Sequence, residues 1–445
     1  MESMRFNFCL IIAAVFFFSC GFDSVECPVV EKESAVETPS AEEKKENSWT
    51  FVVYMAADNG LEEYSTLDIK EMERSLAADS GITILVLWDR AEGYDKTNSG
   101  WTDTRLFEIK SDTSSYGTDI VSSRISCPDI GLSADSETEL NMASVSVLSG
   151  VLSFARREYP AEHSGVILWG HGNGSAFISD DYSGRVMSVP DVQEALKAGS
   201  GGRIIDFLGF DTCFSAELEV LYELKDCAAY FAGSPGLVKD YGWDYASFFG
   251  SIAEAYKNGK SDTALCAALC AESQFVSLYG NAAKSAFSVV KLSAVQDLFS
   301  AFDELSSGAA AAVTNSTARD TLFSLLYSNT VSYSASSVSC YKFLSVKDFA
   351  QKLSSFDASL SEKSSAVTDA LQKMSAGVSS VEQSPAVFFC NISQSGTASA
   401  LIPSEYCKNS TPDDSMSFIQ DSLGYSPGTK KNNSLLDKLF YSAFF

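Results

Sequence analysis

The stretch GVILWGHGNGSAF, residues 165–177, decides the fold. Its apolar run from Val166 to Trp169 breaks abruptly into Gly170-His171-Gly172-Asn173-Gly174, and it holds one of only two histidines in the 445-residue chain. A short, unbroken apolar run bounded by glycine reads as a strand buried on both faces. The same reading fits WTFVVYMAAD (49–58), ITILVLWD (82–89), IIDFLGFD (204–211) and AAYFAGS (228–234). Amphipathic stretches alternate with these runs: Leu61 to Leu76, Thr138 to Glu158, Val189 to Leu196 and Ser215 to Leu224. Strand and helix in alternation predict an α/β fold with a mostly parallel sheet flanked by helices. Sites in such sheets form at the carboxyl ends of the strands, where the loops converge.

Beyond about residue 245 the chain turns Ala/Ser/Leu-rich and reads as mainly helical. Helices are expected over Asp244 to Lys257, Asp262 to Leu278, Leu292 to Leu305 and Arg319 to Val331. AFSVVKL (286–292) and SALIP (399–403) read as later strands. The division expected is a core over 49–250 and a mainly helical C-terminal subdomain over 251–445 that completes the same fold.

The first residues have a different character. MESMRFNFCLIIAAVFFFSCGF carries one basic residue, Arg5, and an apolar run from Phe8 to Phe18. That length suits the core of an export signal better than a membrane span. The run closes on Ser19-Cys20, which resembles a bacterial lipobox, with Phe17 where leucine is usual. Residues 1–19 are then a lipoprotein signal peptide and Cys20 the lipidated first residue of the mature chain. Residues 20–48, rich in Glu, Lys, Ser and Pro, read as a solvated acidic tether. These features predict an exported, lipid-anchored protein of the bacterial cell envelope, with the membrane as a partner through the lipid.

A formal net charge of −26 argues against nucleic acid, whose phosphates need clustered Lys and Arg. Eleven cysteines are scattered with no CxxC, so a structural zinc site is not expected. Cys27, Cys127, Cys227, Cys266, Cys270, Cys340, Cys390 and Cys407 are candidates for pairing in an oxidising envelope.

Two strand ends carry chemistry. One ends in Gly170-His171-Gly172 and the next in Asp211-Thr212-Cys213. In a parallel sheet both lie on one edge, so an imidazole and a thiol can face each other. Such a pair suffices for acyl transfer: the imidazole takes the thiol proton and sulfur attacks a carbonyl. The backbone N–H groups of Gly172 and Cys213 are candidates for holding the oxyanion. Each feature alone has a plainer reading. A cysteine after an apolar strand is usually inert core, and an aspartate before a helix usually answers the helix dipole. The glycine run lacks the Lys-Ser/Thr of a phosphate loop, and no Gly-x-Ser-x-Gly marks a nucleophile elbow. His163 reads as a surface turn residue.

WTFVVYMAADNGLE, ILWGHGNG, LGFDTCFSAELEVLYEL and FAGSPGLVKDYGWDY together resemble the successive motifs of the clostripain-like cysteine peptidases, peptidase family C11 of the caspase-like clan. The resemblance is close over Trp49 to Tyr245, with weaker echoes in AFSVVKL, SVKDFAQKL and TASALIPS. It implies a caspase-haemoglobinase fold and an endopeptidase with His171 and Cys213 as the catalytic pair, 213 − 171 = 42 residues apart. It further implies an acidic S1 pocket built on Asp211 and a second carboxylate in KDYGWDY, Asp240 with Asp244 as the alternative. Such a pocket suits substrates with a basic P1 residue, Arg before Lys, through charge-assisted hydrogen bonds. Family members self-process between the two catalytic residues. Arg185, in the polar stretch ISDDYSGRVMSVPDV, is the only Arg or Lys from His171 until Lys197, so activation by cleavage between Arg185 and Val186 is expected. No cofactor is expected to be required; calcium serves the family's namesake, but no calcium loop is legible here. The alternatives are a non-catalytic surface lipoprotein with a peptidase-like fold, and a thiol hydrolase acting on another acyl bond.

Overall fold

Strand β1, Asn47–Ala57, is central because its side chains from Phe51 to Ala57 are apolar and buried on both faces. It pairs in parallel with β2 (Ile82–Arg90) on one side and with the strand Ala161–Trp169 on the other. The structure, a computed structural model, describes residues 47–375 apart from 77–79, 113, 115–116, 118, 175, 275–286, 316, 319–320, 323–324 and 326–340, and also residues 386–390. The expected signal peptide, Cys20, the tether and the strand SALIP lie outside the described residues.

Beyond β2 the sheet continues antiparallel through β3 (Thr104–Glu108) and β4 (Ser123–Ile125). The strand Ala161–Trp169 is β5. Next in the chain come β6 (Ala176–Asp180) and β7 (Arg185–Ser188), an antiparallel pair outside the main sheet. On the other side of β5 lie β8 (Ile205–Asp211) and β9 (Ala228–Gly233), both parallel, and β10 (Ser288–Lys291), antiparallel. The eight-stranded order is β10-β9-β8-β5-β1-β2-β3-β4. Its five central strands run the same way, as predicted. Its edge strand β10 comes from beyond residue 250. A separate pair joins β11 (Tyr341–Ser345) to β12 (Ala386–Cys390).

Alternate residues of each strand serve opposite faces. Phe51, Val53, Met55, Ile167, Trp169 and Phe207 pack against helices α1 (Glu62–Ser75), α5 (Tyr245–Lys257) and α6 (Thr263–Gln274). Val52, Tyr54, Val166, Leu168, Leu208 and Phe210 face α2 (Val145–Glu158), α3 (Val189–Gly199) and α4 (Leu218–Leu224). The same core continues into α7 (Val295–Ala312), α8 (Val346–Phe356) and α9 (Ser361–Met374). Each buried aliphatic or aromatic side chain contributes about 1.5–3 kcal/mol, which is why the doubly covered sheet forms.

Several expectations are corrected. The helix expected from Thr138 begins at Val145, because the preceding turn is held elsewhere: Met142 N–H donates to Asp180 and Leu140 N–H to Thr104. The helix expected from Ser215 begins at Leu218, since the Ser215 and Ala216 N–H groups bond to the Ser234 carbonyl. The polar stretch after His171 forms the β6–β7 hairpin. Its buried anchors are Phe177, Ile178, Asp180 and Met187. His163 sits within β5, against the Trp49 ring and 3.3 Å from Asp206. Cys127, Cys213, Cys227, Cys266 and Cys270 are free thiols. Cys27, Cys340 and Cys407 lie outside the described residues, and the Cys390 side chain is not described. Among the described residues no helix is long and apolar enough to cross a membrane.

Candidate active site

Strands β5 and β8 place the two candidate residues. Trp169 and Asp211 are register partners at their carboxyl ends, and the Gly170 N–H donates to the Asp211 carbonyl at 3.3 Å. His171 and Cys213 each follow two residues later, so both leave the sheet on one edge, side by side. Gly170, at φ +149°, turns the chain there. Gly172 lies so close to the other loop that a Cβ on it would come within 2.4 Å of the Cys213 carbonyl oxygen. That approach is the reason for a glycine beside this histidine.

Two residues at the site hold strained backbone. Phe214, directly after Cys213, has φ +51°, and Ile178 has φ +59°. Positive φ is costly for a β-branched residue. Ile178 is held there because its N–H donates to the His171 carbonyl at 3.1 Å. Phe214 is held by its N–H bond to the Gly236 carbonyl at 2.8 Å. The neighbouring Asn173 N–H bonds to Ala176, which leaves Gly172 between two ladder bonds. Among the described residues no acceptor takes the N–H of Gly172 or of Cys213. Both therefore remain available to an oxyanion.

The Cys213 thiol is half-buried and rests on the loop after β9. Its sulfur accepts from the Val238 N–H at 3.2 Å and lies 3.7 Å from the Val238 carbonyl. Burial pushes the thiol's pKa up; the Val238 N–H opposes this, and the charges of Asp211, Asp240 and Glu217 add to it. His171 stands at the solvent rim, yet the atoms around its ring desolvate it enough to lower its pKa. Asp181 and Asp240 partly offset that loss. The pair therefore rests as neutral thiol and neutral imidazole, with the imidazole free to act as a base.

Of the predicted acidic residues, Asp211 is 4% exposed. Its Oδ2 accepts from the Trp243 N–H and the Tyr245 hydroxyl, each at 3.0 Å, while its Oδ1 is buried without a partner. Burial pushes this carboxyl up to about 7. Gly242, at φ +61°, lets the loop close over it, since a Cβ there would meet Asp211 Oδ2 at 2.6 Å. Asp240 is exposed and acts electrostatically on both His171 and Cys213. Asp244 is differently engaged: it caps α5, accepting from the N–H and hydroxyl of Ser247. Arg185 and Val186 are exposed at the start of β7, away from the sheet.

Sequence reasoning missed the acidic layer behind Asp211. Asp68, on the buried face of α1, accepts from the Trp169 indole N–H at 2.7 Å, and burial raises its pKa well above the usual range. Glu71 accepts from the Tyr245 N–H at 2.9 Å. The signal was present: Asp68 falls in register with Ser65, Ile69 and Met72, on the apolar side of the helix. Glu217, fully buried with both carboxylate oxygens unpartnered, was also missed.

A parallel sheet that delivers an imidazole and a thiol from neighbouring strand ends, with two free amides between, has the construction of a caspase-like cysteine peptidase. A model of the Clostripain family matches residues 53–413, and the chain belongs to that family. Clostripain of Hathewaya histolytica is 25% identical over 211 residues, covering 44% of this chain and 39% of that relative's length. Among solved structures, an inactive zymogen C11 protease from Parabacteroides distasonis superposes with a TM-score of 0.54 at 20% identity, covering 76% of this chain and 84% of that one. A secreted C11 cysteine protease from Bacteroides thetaiotaomicron, solved with an irreversible peptide inhibitor, gives 0.51 at 20% identity, covering 74% and 83%. These likenesses establish the caspase-like fold.

Proposed function

We propose that the chain is an exported, lipid-anchored cysteine endopeptidase that cleaves after Arg, less readily after Lys. The observation that carries the peptidase reading is the register of Trp169 with Asp211, which sets His171 beside Cys213 and packs Gly172 against the nucleophile's own backbone. In the reaction, imidazole takes the thiol proton as sulfur bonds to the scissile carbonyl carbon. The oxyanion lies between the Gly172 and Cys213 N–H groups. The C–N bond then breaks, and the imidazolium gives its proton to the leaving amine. Water, deprotonated by His171, cleaves the thioester and restores the thiol.

A basic P1 residue is supported by charge. The free Asp211 oxygen and exposed Asp240 lie near the reacting pair, and Asp68 and Glu71 stand behind them. Asp240 is favoured over Asp244 for the second S1 carboxylate, because Asp244 is spent on its helix cap. The exposed Arg185–Val186 bond supports self-activation at that point. The lipobox-like Ser19-Cys20 supports anchoring, and the net charge of −26 argues against nucleic acid as a partner.

One assay tests the core of this reading: turnover of Arg-, Lys- and Asp-P1 peptides by the parent and Cys213→Ala. Arg turnover lost in the variant supports it; equal turnover by the variant refutes it. A non-catalytic surface lipoprotein predicts no turnover by either, and a hydrolase of other acyl bonds predicts turnover of a thioester but not of a peptide. Mass spectrometry of the parent should find a new N-terminus at Val186. Cys20→Ser should release the protein from membranes.

A further inference from the structure

Two arginines line a cavity at the far end of the sheet from the catalytic edge. The cavity, of about 310 Å³, lies at the amino ends of β1, β5 and β8, where Thr50, Ala161 and Ile205 form part of its wall. Its apolar lining is Val52, Leu152, Ala155, Val166 and Ile205, all but Ala161's neighbours buried against the core. Arg156 reaches it from the last turn of α2, and Arg203 from the turn between α3 and β8. The Arg156 guanidinium rests on that same turn, since a Cβ on Gly201 would lie 3.4 Å from its Cζ.

Both cations are unspent. Among the described residues neither guanidinium pairs with a carboxylate or donates a hydrogen bond. Their neighbour Arg157, by contrast, is held on Asp129 by two hydrogen bonds, at 2.9 and 2.8 Å. Carboxylates are plentiful in a chain of net charge −26, yet those in the cavity wall are turned elsewhere. Asp206 accepts from the Ser164 N–H at 2.9 Å and the Thr263 hydroxyl at 3.1 Å, and lies 3.3 Å from Nδ1 of His163. Glu162 is exposed and lies 3.8 Å from Nε2 of His163. The end of α3 does not call on the arginines either. Its Leu196, Lys197 and Ala198 carbonyls accept from the N–H groups of Ser200, Gly202 and Gly201. An exposed arginine is ordinarily just solvated; this pair differs in sharing a cavity with an apolar lining, the usual form of a small-molecule site.

From this arrangement we infer that the cavity binds a small organic anion, a carboxylate or a phosphate monoester carried on an apolar body. Guanidinium forks hold either head group through charge-assisted hydrogen bonds. The apolar lining takes the body out of water. β5 and β8 carry His171 and Cys213 beyond their other ends, but the cavity shares no residue with the reacting pair, so binding here is separable from turnover.

The test is isothermal titration calorimetry on the full-length chain carrying Cys213→Ala, which prevents self-cleavage. The probes are phenylacetate, phenyl phosphate, inorganic phosphate and benzyl alcohol. The expected result is saturable one-to-one binding of phenylacetate or phenyl phosphate, at least about tenfold tighter than inorganic phosphate or benzyl alcohol; the tighter of the two identifies the head group. Arg156→Gln and Arg203→Gln should each weaken this binding at least about tenfold, the loss expected for a charged hydrogen-bond partner. Arg157→Gln should leave it unchanged, because Arg157 is outside the cavity lining. All three positions are exposed, so the variants should melt with the parent. No saturable binding of either aromatic anion overturns the proposal. Equal weakening by all three variants also overturns it, by reducing the effect to surface charge. So does inorganic phosphate binding as tightly as phenyl phosphate, which would leave the apolar lining without a role.

Discussion

Replacing Gly172 with alanine tests whether the histidine loop and the nucleophile must touch. A Cβ there falls 2.4 Å from the Cys213 carbonyl oxygen and 2.8 Å from Phe177. Real Cβ contacts essentially never fall under 3.0 Å, so the two loops must part by at least about 0.6 Å. The Phe177 ring is buried and the Cys213 backbone is pinned by its neighbours, so neither yields freely. Parting the loops moves the Gly172 N–H away from the oxyanion and the imidazole away from sulfur. Loss of one oxyanion donor costs about 10²–10³-fold in kcat, or ~2.7–4 kcal/mol. A misplacement of about 1 Å carries a similar penalty. Overpacking adds about 1–3 kcal/mol of lost stability. The assay is steady-state hydrolysis of an Arg-P1 peptide beside urea unfolding of the same preparation. The expected result is kcat down about 10²-fold, KM little changed, and a folded protein with a lowered midpoint. If kcat stays within about threefold of the parent, the donor assignment is wrong, because the displacement needed is too large to spare a working donor.

Three further outcomes follow from the charges. With His171 depressed below its usual 6.5 and the thiol raised, kcat/KM should climb through an apparent pKa below 6.5 as the imidazole loses its proton, then hold level. A bell whose alkaline limb comes from an imidazolium would show a resting ion pair instead. Asp211→Asn keeps an acceptor for Trp243 and Tyr245 but removes the charge, so kcat/KM on Arg-P1 peptides should fall about 10–100-fold, with uncharged P1 peptides spared. Because this carboxyl ionises only near pH 7, the parent's preference for Arg should strengthen as pH rises through 7; a preference flat from pH 5 to 9 would remove Asp211 from the pocket. Arg90→Met leaves Glu62, which is 0% exposed, without its cation. Urea unfolding should show a loss of about 3–5 kcal/mol, and a loss under about 1 kcal/mol would mean that the pair contributes little.

The sequence exposes some of these features and hides others for physical reasons. Parallel strands buried on both faces must be apolar throughout, so β1, β2, β5, β8 and β9 stand out as runs. β3, β4, β6 and β7 are short, and some of their polar residues are answered by distant partners, as Arg124 is by Asp103 and Asp180 by Met142. Asp180 reads as loop material in ISDD, yet it is 1% exposed because Met142 and Ser183 supply its donors. The helix start at Val145 is hidden in the same way, since Thr138 to Ser144 has helix-compatible periodicity and is diverted only by Asp180 and Thr104. His171 and Cys213 were legible because each ends a strand, and adjacent parallel strands leave such ends no other place to be. Asp58 follows β1 and Asp89 lies near the end of β2, but nothing in the sequence says that β1 lies next to β2 in a register pairing Ala56 with Asp89, or that Glu139 folds back to them. A chemical pair is readable when topology alone brings it together. A cluster that depends on register, and on one irregular turn, becomes visible only once the backbone is traced.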